Sequence, residues 1–547
     1  MKRITYIILV LSAITLTACN DFLEEKQRSA LTEEEAFGSL NALKNNAVLS
    51  LYNYIGGNQN SQGLQGTGRG VYDLNTMTTD EAITPIRGGD WYDGGFWEHL
   101  FLHSWGPSTA ALEDTWNYLF KVVMLSNKYL EQVENYKEQH PEVSSTTMNQ
   151  YIAEIRAVRA MFYFYLMDLY GRVPIVRNSK MSSSDMKLAK RSEVFDFILK
   201  ELLFANEHLI YAKSNTFGDY YGRITRPVSS FLLAKLFLNA EIYMDDDWTD
   251  GVYLDGKNLT FFLQNQEMNV WEACQHFCKE IELYFNYSLE PYYMTNFCTT
   301  NETSTENIFT IPMDPNLYSN WNIYLFRSRN CCHGSALGGG SENGPCATIE
   351  TLRTFKYGTP EEDDRFRFTF YADTIYADDG SALKMDDGVT PLVYYPWEVK
   401  LNLTGSPYVE LAGARFGKYE NDPNANADGR ACHNDIVLFR FADLLLMHAE
   451  AKVRNGEDGS VELNLVRNRV NLPEIEATLD NILTERALEL AWEGWRRNDL
   501  VRYHLYTRPY TDRPQLQNEA SGYTTVFPIP STMLDLHPTW KQNPGYE

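Results

Sequence analysis

The sequence predicts a mainly α-helical protein, in which stacked antiparallel helix pairs form the scaffold and long irregular loops and a few short strands fill the rest. Three observations lead there. Apolar residues recur at three- and four-residue steps over long windows, the period of a helix. Those windows fall into consecutive pairs joined by short polar turns, such as 440–455 and 459–470 across Asn455-Gly456-Glu457-Asp458-Gly459. Between them run stretches at 56–106, 290–347 and 358–437 rich in Gly, Asn, Asp and aromatics, of a length that commonly carries function.

In chain order the first element is a leader. Lys2 and Arg3 precede an apolar run from Ile4 to Ile14, followed by Leu16-Thr17-Ala18-Cys19. The run is shorter than the roughly 20 residues a membrane-spanning helix needs, and the order of charged, apolar and small residues ahead of a cysteine resembles a bacterial lipoprotein signal. Residues 1–18 are expected to be removed and Cys19 to carry lipid. The acidic opening Asn20-Asp21-Phe22-Leu23-Glu24-Glu25 resembles the export signals of surface lipoproteins in the Bacteroidetes.

Helices are then expected at about 33–54, 107–136, 148–170, 192–212, 226–244, 270–285, 440–455, 459–470 and 478–504. The clearest is 148–170, where Ile152, Ile155, Val158, Phe162, Tyr165, Leu166 and Leu169 keep the helical period up to Gly171 and Pro174. The strict tetratricopeptide repeat pattern is absent. No low-complexity linker interrupts the chain, so residues 19–547 read as one unit, with an N-terminal part to about 250 and a C-terminal part from about 251.

Composition narrows the partners. The formal charge is −25, and loss of Lys2 and Arg3 with the leader makes it −27. Nucleic acids and anionic lipid surfaces are excluded as partners, since both are gripped by clustered Lys and Arg. With 11 Trp, 35 Tyr and 28 Phe the chain is too apolar to be disordered. Cysteines at 274, 278, 298, 331, 332, 346 and 432 form no disulfide framework. Cys274 and Cys278 around His276 lack zinc-site spacing and read as buried thiols. Cys331-Cys332 allows a vicinal disulfide or a bridge to Cys346.

Four blocks, Ala153–Val176, Gly222–Tyr243, Asn434–Asn455 and Ile482–Tyr503, together with the ending Phe527-Pro528-Ile529-Pro530 and Lys541-Gln542-Asn543-Pro544-Gly545-Tyr546, resemble the SusD/RagB family of outer-membrane nutrient-binding lipoproteins. The resemblance spans nearly the whole mature chain in the family's order. It implies tetratricopeptide-like helix pairs as scaffold, glycan binding on loops without catalysis, and a SusC-like TonB-dependent transporter as partner.

Candidate chemistry is tested block by block. Glu485, Glu489, Glu493 and Arg497 stand four apart in the last predicted helix. Carboxylates about 6 Å apart fit a glycosidase superficially, but Arg496, Arg497, Arg502 and Asp499 beside them point to a structural ion-pair lattice. Arg156, Arg159 and Arg172 are expected to serve the same scaffold. Asp246–Lys257 fails as an EF-hand. Asn424, Asn426, Asp428, Gly429 and Asp435 fall on positions 1, 3, 5, 6 and 12 of such a loop, with Asn and Asp where Asp and Glu are usual, so an Asx-turn loop is the simpler reading. His99 and His103 read as packing or hydrogen-bonding residues. No nucleophile elbow, phosphate loop or dinucleotide fingerprint occurs, and no cofactor is implied.

Binding is expected on the loop aromatics. From Asp80 to Trp97, Arg87, Asp90, Trp91 and Tyr92 bring guanidinium, carboxylate, indole and phenol together amid glycines. Flat rings stack on sugar C–H faces and polar edges bond hydroxyls. A second group, Trp321, Asn322, Tyr324 and Arg327, lies in a loop that in the family commonly adjoins the ligand. Asp80-Glu81 resembles a structural family motif. The family's starch-binding prototype has a tryptophan in the turn matching Asn343-Gly344-Pro345-Cys346, where this chain has Pro345, so starch is not the default ligand. The function expected is capture of oligosaccharides at the cell surface and delivery to the transporter. The alternatives are a surface glycoside hydrolase and a protein- or peptide-binding helical scaffold.

Overall fold

A computed structural model describes residues 32–57, 62–66, 68–314, 332–337, 343–377, 379–422, 424–425 and 432–546. The leader with Cys19, the group Trp321, Asn322, Tyr324 and Arg327, and Cys331 lie outside the described residues.

The long helices are α1 (Ala110–Gln139), α2 (Ser145–Tyr170), α3 (Arg191–His208), α4 (Arg226–Leu238), α5 (Val270–Tyr284), α6 (Phe441–Asn455), α7 (Ser460–Arg469), α8 (Leu479–Glu489) and α9 (Arg496–Arg502). They pack in succession: α1 on α2, α2 on α3, α4 on α5, α5 on α6, and α6 on both α7 and α8. Local chemistry sets their ends. Asn269 accepts from the amides of Trp271 and Glu272 while Glu272 reaches back to the Asn269 amide, a complete capping box for α5. Pro227 occupies the first turn of α4. Gly456, at φ 88, closes α6.

Helix α2 sits at the centre. Every residue from Tyr151 to Tyr170 except Arg156 is buried, more than a single apolar stripe predicts, because both α1 and α3 pack on a helix that is apolar nearly all round. The few polar side chains there are matched: Glu154 pairs with Arg223 at 2.5 Å, and Arg159 with Glu201. Arg156 also meets Glu201, at 2.7 Å, and Arg172 donates to Asn543.

Two expectations change. The predicted helix 33–54 is a string of short helical segments. The predicted helix 478–504 is two helices, α8 and α9, because Trp492 at φ 65 and Gly494 at φ 79 adopt the left-handed region between them. That turn is held from afar: the Tyr72 hydroxyl donates to the Trp492 carbonyl, the Trp492 amide donates to Glu81, and the indole stacks on Phe416 at 3.6 Å.

Strands are short. A four-stranded antiparallel sheet runs in the order β1 (Ala82–Ile83), β3 (Cys346–Ala347), β5 (Arg415–Phe416), β4 (Phe370–Tyr371), and β2 (Asn307–Ile311) pairs with β6 (Ile436–Arg440). The sheet brings the three long loop regions to one place. Cys274, Cys278, Cys298, Cys346 and Cys432 are free thiols. Among the described residues no helix is long and apolar enough to cross a membrane.

Candidate functional site

The chain leaves β1 and turns tightly at Gly88-Gly89, with Arg87 and Asp90 exchanging backbone hydrogen bonds at 3.0 and 3.1 Å. Beyond the turn, Trp91, Asp93, Gly94 and Gly95 all have positive φ, at 62, 44, 66 and 84. A bulky residue such as Trp91 takes this conformation only where its surroundings fix it, at a cost on the order of 1–3 kcal/mol.

Gly344 supplies the fixing surface. A Cβ there would lie 2.4–2.6 Å from three atoms of the Trp91 indole, so the ring rests directly on the glycine. The ring also meets Trp97 at 6.0 Å in a tilted arrangement, and Trp97 in turn packs on Phe96 at 4.8 Å and donates its indole N–H to Asp93 at 2.8 Å. Arg69 closes the cluster, pairing with Asp93 at 2.9 Å and lying 4.9 Å over the Phe96 ring.

Arg87 points inward, away from solvent. It is 3% exposed and donates to the carbonyls of Gly344, Val409 and Ala412 at 2.8–3.3 Å. Burial, helped by the neighbouring charge of Arg415, pulls its pKa down to about 9. Its donors are occupied by protein, so Arg87 staples the 343–346 turn beneath Trp91 and does not present a free guanidinium. Asp90 and Tyr92 are exposed, Tyr92 by 56%, and Trp91 is half-buried.

Sequence reasoning missed the polar rim beside this ring. The Asn343 amide donates to the Glu410 carbonyl at 3.1 Å and lies 3.3 Å from Nε2 of His333. The Tyr394 hydroxyl accepts from the His333 amide at 2.8 Å. Burial and the charges of Arg415 and Arg87 lower His333 to about 4, so its ring is neutral at physiological pH. Residues more than 60 positions apart meet here through the sheet, and nothing local in the sequence marks them. A further aromatic pair, Tyr357 and Trp397 at 6.0 Å, borders an open groove of about 450 Å³ with Lys356 and Glu361. Trp397 is 49% exposed.

The carboxylates with glycosidase-like spacing have a different fate. Glu489 accepts from Arg365, Arg440 and Arg469; Glu485 from Arg365 and Arg467; Glu493 from Lys418 and Arg440. None has more than 3% exposure. Burial would raise the Glu489 pKa, but Arg469, Arg440 and Arg365 more than offset it and hold the carboxyl well below the usual range. A carboxylate caged by three guanidiniums can neither deliver a proton nor reach a sugar. Arg497 leaves this face and pairs with Asp168 at 2.7 Å.

The remaining candidates resolve as structural groups. Asp80 binds Arg496 and Arg508, each at 2.7 Å. His103 is buried between Glu519 and the Thr78 carbonyl, and His99 bonds Ser104. Of the calcium-like loop, Asn426, Asp428 and Gly429 lie outside the described residues. Asp435 faces inward and accepts from Tyr221, Thr310 and the Met313 amide. Burial pushes its pKa up to about 7. Among the described residues no group of three or more His, Cys, Asp or Glu side chains is placed to hold a metal ion.

A helical body thus carries the half-buried Trp91 indole on a loop, with polar groups at its edge. Residues 305–546 match the SusD family, and residues 21–238 match a SusD-like family described as starch-binding and associating with the outer membrane. The two matches take in most of the chain, and the chain belongs to the SusD/RagB family. The starch-binding protein SusD of Bacteroides thetaiotaomicron is 24% identical over 520 residues, covering 89% of this chain and 87% of that protein. A SusD-like protein of Bacteroides ovatus is 23% identical, covering 95% and 86%. Among solved structures, a laminarin-binding SusD-like protein superposes with a TM-score of 0.65 at 19% identity, over 91% of this chain and 98% of its own. Surface glycan-binding protein A from Bacteroides thetaiotaomicron, in complex with laminarihexaose, gives 0.66 at 17% identity, over 92% and 99%. At these identities the structural likeness establishes the fold.

Proposed function

We propose that the protein is a noncatalytic cell-surface glycan-binding lipoprotein, anchored to the outer membrane through lipid on Cys19, that captures oligosaccharides and passes them to a SusC-like TonB-dependent transporter. The observation that carries the reading is the seat of Trp91. A half-exposed indole is held at φ 62 on Gly344, with Asp90 and Tyr92 exposed beside it. A ring fixed in advance loses little entropy when a flat ligand stacks on it. In this reading Trp91 stacks, Asp90 and Tyr92 bond hydroxyls, and Arg87 positions the platform from below. Trp321, Asn322, Tyr324 and Arg327 are proposed as ligand-binding residues from the sequence alone. The absence of catalysis is supported by the caging of Glu485, Glu489 and Glu493, and the glycan class by the relatives that bind starch and laminarin.

The test is a glycan array and affinity-gel screen on the protein lacking residues 1–19, with Trp91→Ala and Trp321→Ala as controls. Retarded migration in at least one polysaccharide, reduced by Trp91→Ala and unaccompanied by release of reducing sugar, is the expected result. Release of product would instead favour a hydrolase. Glycan binding indifferent to both substitutions would place the site elsewhere.

A further inference from the structure

Helix α3 opens with Arg191, whose side chain is wholly buried yet whose Nε, Nη1 and Nη2 atoms have no hydrogen-bond partner among the described residues. Every other fully buried arginine, Arg365, Arg415, Arg440, Arg486, Arg497, Arg502 and Arg513, donates to a carboxylate or carbonyl oxygen. Among the described residues Arg191 instead lies against the rings of Tyr243 and Trp248, at 5.1 and 5.7 Å. The Trp248 indole N–H is likewise buried without a partner. Both groups line a small cavity of about 70 Å³, bordered also by Asp245, His504, Ser521 and Thr525.

The neighbouring carboxylates are engaged elsewhere. Asp168 accepts from Arg497, Tyr243 and Asn498, and Asp245 accepts from the Asp247 amide. Burial draws the Arg191 pKa down against the weaker pull of Tyr243 and Asp168. A dehydrated guanidinium with open donors calls for an acceptor of negative charge, and the Trp248 indole N–H adds a second unpartnered donor in a residue lining the same cavity. The space is large enough to hold ordered water or one small oxyanion.

We propose that this cavity is a small-oxyanion site, in which the Arg191 guanidinium and the Trp248 indole N–H hold a carboxylate- or phosphate-sized anion. The bound anion ties the start of α3 to the segment 519–525, so the folded state gains stability with anion concentration by mass action. The anion has two possible sources, a free inorganic or organic ion or the carboxylate of an acidic sugar.

The experiment is thermal unfolding and calorimetric titration of the mature chain in chloride-free buffer with phosphate, acetate and glucuronate. The parent is expected to show a saturable rise in unfolding temperature with at least one of them. Trp248→Phe, which keeps the ring and removes the donor, should weaken that binding severalfold, and Arg191→Met should abolish it. Should Arg191→Met fail to fold, Trp248→Phe and Arg191→Lys carry the comparison. Response to phosphate or acetate assigns a free ion, and response to glucuronate alone assigns a sugar acid. No saturable response in the parent means that water fills the cavity, and a response unchanged in Trp248→Phe and the Arg191 variants means that the anion binds elsewhere; either result overturns the site.

Discussion

Around Glu489, three guanidiniums converge on one buried carboxylate, whereas Asp90 stands exposed beside a half-buried Trp91. Both regions are built from carboxylate, guanidinium and indole, and sequence spacing makes the first look more like a reactive site. Solvent decides between them. Around Glu489 the buried charges of Glu485, Glu493, Arg365, Arg440 and Lys418 are spent on one another, and the indole of Trp492 is spent on Phe416. In the Trp91 loop a single arginine, Arg87, is spent inward, and that leaves the ring and the acidic edge facing out.

The comparison breaks most sharply at Glu489. Glu489→Ala leaves Arg365, Arg440 and Arg469 short of a buried partner, and a loss of about 3–5 kcal/mol is expected, read as a large fall in the urea midpoint or a failure to obtain folded protein. Next is Arg87→Ala. It strands the carbonyls of Gly344, Val409 and Ala412, at a cost of about 1–3 kcal/mol, and it should weaken glycan binding as well, because the turn under Trp91 loosens. Trp91→Ala is expected to act on binding alone, by about 1–2 kcal/mol, or roughly tenfold in Kd, with the unfolding midpoint little changed.

A separate effect is expected on pH dependence, at Glu81. Burial pushes its pKa from 4.5 up to about 7, against the Trp492 amide and the charges of Arg496 and Lys418. Its folded value therefore exceeds its unfolded one, so folding favours the protonated form. The favourable contribution is present below about pH 4.5 and is lost as pH rises through about 7. Glu81→Gln should flatten that part of the stability profile, measured as the urea midpoint between pH 4.5 and 8, and leave the acid limb as it is. A profile identical to the parent's would mean that Glu81 stays ionised in the folded protein.

How far the sequence could be read follows the same division. Helix α2 was legible because its signal is local: apolar side chains at helical steps, closed by Gly171 and Pro174. The break between α8 and α9 was not, because the left-handed turn at Trp492 depends on Tyr72, Glu81 and Phe416, which come from far along the chain. The lattice was legible in kind, since several arginines stood beside the glutamates, but its other members, Glu306, Arg365, Lys418 and Arg440, carried no pattern linking them. In the candidate site, an aromatic among loop glycines marked Trp91 and Tyr92 by composition. The inward turn of Arg87 and the rim of Asn343, Glu410 and His333 depend on the pairing of β1 with β3 and of β3 with β5, which no short window encodes.

The central claim is that the Trp91 platform binds glycan and the buried carboxylates hydrolyse nothing. Its most direct test is calorimetric titration of an oligosaccharide chosen from the array into the parent and into Trp91→Ala, with both unfolding midpoints recorded and the syringe sugar recovered for analysis. The account predicts binding to the parent, about tenfold weaker binding to Trp91→Ala at an unchanged midpoint, and intact sugar from both. Equal affinity in the two proteins, or shortened sugar from the parent, would contradict it.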